Sequence, residues 1–300
     1  VNTQLNTLLT TLYVYLDDHV LPDLGVSRDR RPGRKPVLSD AELLCLAVAQ
    51  HLLGFSSETR WIRYSRIHLS GMFPGIPHQS GYTKRLRAAG PVIAAAITAL
   101  ARDTPSWHEV LRLVDSTPVP CGMSRETVKR SDLSGHAGYG YCASHSRFFW
   151  GLRLYLISTP DGMPVIWGLA NPKIGEREVT QALLEHDHHL ISAGQVILGD
   201  KGFAGRDFER FITEDLHAHL IRPDRKDEKP RFGKLGGIRQ WIESVFDTLK
   251  GQLGLEDHGG RTMAGVYARV AARLLALAAG IWHNWRINAP RKRSLIAYDH

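Results

Sequence analysis

Ile238-Arg239-Gln240-Trp241-Ile242-Glu243-Ser244-Val245-Phe246-Asp247-Thr248-Leu249-Lys250 reads as one amphipathic helix. Ile238, Ile242, Val245 and Leu249 recur at i, i+4, i+7 and i+11, an apolar stripe that asks for a packing partner. Arg239, Glu243 and Lys250 form a second line, roughly 120° around the helix at 3.6 residues per turn. One carboxylate is thus offered from a rigid element with a cation on either side. By itself the pattern fits an exposed charge pair just as well, worth a few tenths of a kcal/mol.

Two upstream runs change its meaning. Val110-Leu111-Arg112-Leu113-Val114-Asp115 and Gln195-Val196-Ile197-Leu198-Gly199-Asp200 both close an apolar stretch with an aspartate. Both read as strands with the acid at the carboxyl end, where α/β sheets gather their ligands. Each aspartate alone fits an ordinary turn, since Ser116-Thr117-Pro118 follows one and Lys201-Gly202 the other. Together with Glu243 they match a paired Mg²⁺ or Mn²⁺ site. Hard cations take oxygen ligands and keep positions open for phosphate and water. Two such ions, about 3.5–4 Å apart, bind both sides of one phosphodiester. The candidate catalytic and metal-binding residues are Asp115, Asp200 and Glu243. Lys201, Arg239 and Lys250 are candidate contacts to phosphate or to transition-state charge.

Working outward, strand-like runs at 110–115, 147–158, 163–169, 195–200 and 218–222 alternate with helical patterns at 176–188 and 206–216. Asp161-Gly162 fits a short hairpin turn. The order β-β-β-α-β-α-β-α predicts an α/β fold, a mixed five-stranded sheet flanked by helices. Gly135-His136-Ala137-Gly138-Tyr139-Gly140-Tyr141 lacks the Gly-Lys-Ser or Gly-Lys-Thr of a phosphate loop and reads as a flexible loop beside the site.

Residues 1–105 read as a helical, basic region. Leu5, Leu8, Leu9, Leu12 and Leu16 make an apolar face, and Ser39 with Glu42 fits a capping box before a nearly all-apolar helix. The basic stretch 28–36 carries two prolines and a glycine and reads as loop. Between 56 and 90, Arg60, Arg63, Arg66, Lys84, Arg85 and Arg87 mix with Trp61, Tyr64 and Tyr82. Phosphate contacts with aromatic stacking suit DNA, and Arg60, Arg63 and Arg85 are the candidates. A basic surface over a small helical core explains the same residues. Residues 106–255 form the expected catalytic domain. Residues 256–300 form a C-terminal helix, faced by Val266, Val270, Leu274, Leu277 and Ile281, and a basic tail at Arg291-Lys292-Arg293.

Composition narrows the classes. The chain has 300 residues, 43% of them apolar, and a formal charge of +8. A globular protein with a polyanionic partner follows. Arg269 and Arg273 interrupt the longest apolar run, at 266–282, so no membrane span is expected. Three cysteines without a C-x-x-C pair, and no basic leader at Val1-Asn2-Thr3-Gln4, point to a reducing, cytoplasmic setting. Competing chemistries have weaker support. His186, His188 and His189 read as a solvated helix end, His136, His145, Cys121 and Cys142 lack zinc-finger spacing, and no G-x-S-x-G motif marks a nucleophile.

These stretches resemble DDE-type transposases of bacterial insertion sequences, whose catalytic domain has the RNase H-like fold shared with retroviral integrases. The resemblance rests on 113–119, 151–156, Leu198-Gly199-Asp200-Lys201-Gly202-Phe203, the Glu243 helix, and the stretch 138–172. Many members carry a Y-x2-R-x3-E-x6-K signature. Arg239, Glu243 and Lys250 fit its last three positions, while Gly236 stands where the tyrosine would be. The resemblance implies an RNase H-like catalytic core and a metal-dependent enzyme with two Mg²⁺ or Mn²⁺ ions at Asp115, Asp200 and Glu243. It implies double-stranded DNA as partner, both terminal inverted repeats and target, cut and joined by a homodimer at the nucleoid. A metal-dependent nuclease without strand transfer, and a catalytically silent DNA-binding derivative, stand as alternatives.

Overall fold

The computed structural model describes residues 3–25, 37–122, 125–142, 146–225, 228–229, 231, 233 and 235–298; the basic stretch 28–36 and His145 lie outside them. The chain forms two compact units. One joins Val1–Thr104 to Thr248–His300, and the other is Pro105–Asp247.

The first unit is helical. Its amino-terminal part comprises α1 (Thr3–Tyr15), the short α2 (Leu21–Asp23), α3 (Asp40–Leu52), α4 (Glu58–His68), α5 (Gln79–Ala88) and α6 (Gly90–Arg102). Leu5, Leu8, Leu9, Leu12 and Leu16 are all buried. Ser39 and Glu42 form the capping box: the Glu42 amide donates to Ser39 Oγ at 3.1 Å, and the Ser39 amide donates back to the Glu42 carboxylate. That satisfies two of the donors a helix start leaves open. Trp61 and Tyr82 are fully buried, the Tyr82 hydroxyl donating to Gln50 Oε1 at 2.8 Å. These two rings are core, not a stacking surface.

The second unit is built on a mixed sheet. In chain order it contains β1 (Leu111–Gly122), α7 (Arg125–Arg130), β2 (Gly138–Cys142), β3 (Arg147–Ser158), β4 (Pro164–Ala170), α8 (Glu176–His186), β5 (Val196–Leu198), α9 (Arg206–Arg210), β6 (His219–Ile221) and α10 (Gly236–Asp247). β3 is antiparallel to both β1 and β4, while β1, β5 and β6 run parallel. The path β4-β3-β1-β5-β6 is the RNase H-like arrangement. Val114, Ile157, Ile166 and Ile197 pack with Leu184 of α8, Phe208 of α9 and Phe203, Phe211 and Ile212 into one apolar cluster. The predicted stripe of α10 is its inner face: Ile242, Val245 and Phe246 are buried and the helix packs on β1.

Three expectations need correction. The five expected strands form that path, and the glycine-rich stretch read as a loop adds a sixth, β2, which pairs with the first half of β3 while β4 takes the second half. The glycines answer to packing: a Cβ on Gly140 would stand 2.7 Å from the Phe149 ring. Next, Asp115 does not end its strand, since β1 continues to Gly122 along β3. Pro118 and Pro120 are tolerated there for a positional reason. They share the parity of Val110, whose carbonyl accepts from Val196 at the start of β5. Their missing N–H groups therefore face the side on which β5 has already ended. Lastly, the helix of Glu243 ends at Asp247, and Thr248–Gln252 is a π turn. Lys250 thus leaves the 3.6-residue register that aligned it with Glu243, and belongs to the helical unit.

That unit is completed by α11 (Met263–Arg286). By length and composition alone it passes for a membrane-crossing helix in spite of its arginines, but 83% of its apolar window is buried among protein. Arg273 sits inside with its donors on backbone carbonyls, Nε to Leu253 and Gly254 at 2.9 Å each. Arg269 pairs with Glu58 of α4 at 2.6 Å. The C-terminal helix is thus a core element of the amino-terminal helices.

Candidate carboxylate site

Leu113 and Leu198 are the last residues paired between β1 and β5. Asp115 and Asp200 each stand two positions further on. The Ser116 N–H points toward the vacated β5 side and donates to Asp115 Oδ1 at 2.7 Å. Asp200 caps a short 3₁₀ turn (Lys201–Phe203), its Oδ1 accepting from the Gly202 amide at 2.7 Å. Each aspartate therefore has one oxygen fixed by a backbone amide.

The electrostatics join the two. Burial is the main force that pushes the Asp115 carboxyl up to about 7, the Ser116 amide pulls it back, and Asp200 and then Glu176 push it further. Arg239 opposes them. Asp115 is half-buried as a residue, but its carboxylate is largely removed from water. A desolvated carboxylate facing other carboxylates is a site that a cation would relieve.

Glu243 stands one turn after Arg239 on α10. Its side chain is 55% exposed and pairs with Arg239 at 3.8 Å. The structure thus brings Asp115, Asp200 and Arg239 together and attaches Glu243 through Arg239. Lys201 is exposed beside Asp200. In the helical unit, Arg60 and Arg63 are exposed on α4, whereas Arg85 is half-buried, holding Asp40 at 2.7 Å and the Leu38 carbonyl. His186, His188 and His189 are exposed, with His188 Nδ1 at 3.1 Å from the Glu185 carbonyl.

Sequence reading missed Glu176, Arg153 and Ser116. Glu176 opens α8, the crossover helix from β4 to β5. Its Oε1 accepts from Ser116 Oγ at 2.7 Å and from Arg153 Nη1, and Arg153 Nη1 also donates to Ser116 Oγ at 2.8 Å. An acid at the start of a helix looks like an ordinary dipole partner. An arginine inside β3 was the available signal, because a cation within a sheet needs a local anion.

The donor set fits a hard cation. Asp115 and Asp200 both present oxygens, and among the described residues each has one oxygen hydrogen-bonded and the other without a partner. Among the described residues no three acids, histidines or cysteines already stand close enough to grip one ion.

The chain belongs to the family described as "Transposase DDE domain", whose model matches residues 106–279. No curated protein matches the chain. Among solved structures, it is similar to a piggyBac transposase in a synaptic complex with hairpin DNA, imaged by cryo-electron microscopy. The two are 9% identical with a TM-score of 0.48, over 97% of this chain and 76% of that one.

Proposed function

We propose that this transposase-family chain binds the terminal inverted repeats of an insertion sequence, cleaves phosphodiesters at the element's ends, and joins the freed 3′-hydroxyls to target DNA. The observation that carries the reading is the placement of Asp115 and Asp200, both two residues past the last β1–β5 pair, inside the family-matched segment.

In this reading Asp115, Asp200 and Glu243 would hold two Mg²⁺ or Mn²⁺ ions. Such ions, when bound, make the attacking oxygen more acidic and offset charge on the leaving one. Lys201 and Arg239 take phosphate charge. In the first step a water oxygen bonds to phosphorus and the 3′-oxygen leaves, taking up a proton. In the second that 3′-hydroxyl attacks a target phosphodiester, so one P–O bond forms as another breaks. Arg60, Arg63 and Arg85 supply contacts to duplex DNA, and a homodimer pairs the two ends in the cytoplasm, at the nucleoid.

A joining assay with pre-cleaved ends tests the strand-transfer half. Covalent joining to a target plasmid supports the transposase reading. Cleavage of intact ends without joining favours a nuclease with the same site.

A further inference from the structure

We propose that Glu176 is a positioning residue of the carboxylate site, setting where Asp115 and Asp200 present their open oxygens. The inference rests on the reading of these two aspartates as cation ligands.

Glu176 touches both groups that fix the aspartates. Ser116 gives its amide to Asp115 Oδ1 and its hydroxyl to Glu176 Oε1. Gly202 gives its amide to Asp200 Oδ1, and Glu176 Oε2 lies toward the side on which Gly202 lacks a Cβ. A Cβ on Gly202 would stand 2.8 Å from Asp200 Oδ1 and 3.4 Å from Glu176 Oε2. The absence of a side chain is what lets the two acids share this space. One carboxylate on α8 therefore spans the turn after β5 and the middle of β1, two segments far apart in sequence.

Arg153 makes the arrangement tolerable. A third acid beside Asp115 and Asp200 adds repulsion, and Arg153 neutralises it from β3 while also holding Ser116 Oγ and the Tyr141 carbonyl, the latter at 3.3 Å. The pair is only partly exposed, 19% for Arg153 and 31% for Glu176, so screening by water is limited. Tyr155 adds an independent sign. It stands opposite Ser116 in the β1–β3 register, is buried, and its hydroxyl has no partner among the described residues. An unpaired buried hydroxyl beside this network is a ready donor when a neighbouring carboxylate turns.

The test is Mn²⁺ binding to the full chain, followed by the loss of free-ion electron spin resonance. Wild type is compared with Asp115→Asn, Glu176→Gln, Glu176→Asp and Ser116→Ala, with thermal melting of each. Outer partners of metal ligands typically change affinity by about 10–100-fold. The expected result is loss of binding in Asp115→Asn and weakening by about that factor in Glu176→Gln. Glu176→Asp, which keeps the charge, should recover part of it, and Ser116→Ala should weaken binding without altering a charge. Glu176→Gln and Ser116→Ala that bind Mn²⁺ like wild type, whatever their melting points, would overturn the proposal. Wild type that binds no Mn²⁺ would overturn the ligand reading of Asp115 and Asp200, and this inference with it.

Discussion

Asp115 on β1 and Asp200 after β5 occupy equivalent positions past the last parallel pair of their strands, and the Asp200 charge raises the cost of ionising Asp115. Removing either oxygen donor while keeping its shape should isolate the chemistry. Asp115→Asn and Asp200→Asn should each lower cleavage of end-bearing DNA by at least about 10³-fold while leaving DNA affinity within about threefold, as expected where a whole charge-stabilising group is lost. Single-turnover cleavage alongside gel-shift titration checks this.

The same relationship sets a pH dependence. Asp115 titrates near 7 when folded, above its unfolded value near 4. Between those values the folded chain binds more protons than the unfolded one, so stability falls as pH rises through this window and stays low above it. Asp115→Asn removes the burden. It should melt higher than wild type at pH 8, by on the order of 2 kcal/mol without divalent ion, and lose that advantage below about pH 4. Melting across pH, with chelator present, measures it. Added Mg²⁺ should raise the wild-type melting point at pH 8 and leave Asp115→Asn unmoved.

Glu243 and Arg239 form a partly exposed pair, which contributes little to stability. Glu243→Gln should therefore melt within about 0.5 kcal/mol of wild type, yet cut DNA at least about 10²-fold more slowly. Equal cleavage by Glu243→Gln would remove this glutamate from the site.

The cations of the helical unit divide by their surroundings. Arg60→Ala and Arg63→Ala should weaken DNA binding with unchanged melting, each lowering the salt slope by about one. Arg85 holds Asp40 and the Leu38 carbonyl, so Arg85→Ala should cost about 1–3 kcal/mol of stability. Salt-dependent affinity and thermal melting separate the two effects.

These divisions show what sequence carried. Period and run length are local, so the strands around Leu113 and Leu198 and the inner stripe of α10 were legible without coordinates. The end of β1 was not, because the prolines that seemed to stop it are admitted by the early end of β5, a distant segment. β2 was hidden because Gly138 and Gly140 serve close packing against Asn171 and Phe149, which composition reads as looseness. Glu176 escaped notice for a similar reason. Its partners Ser116 and Arg153 lie far from it in sequence, and no spacing rule connects them. Equally, nothing local in residues 263–286 announced that this helix belongs with α1, α3 and α6.

The central claim is that the buried carboxylates drive DNA cleavage. The most direct measurement is Mg²⁺-dependent cleavage of a labelled duplex carrying the element's ends, by wild type and Asp115→Asn, with binding measured on both. The account predicts that both bind and only wild type cuts. Equal cutting by the two proteins would contradict it.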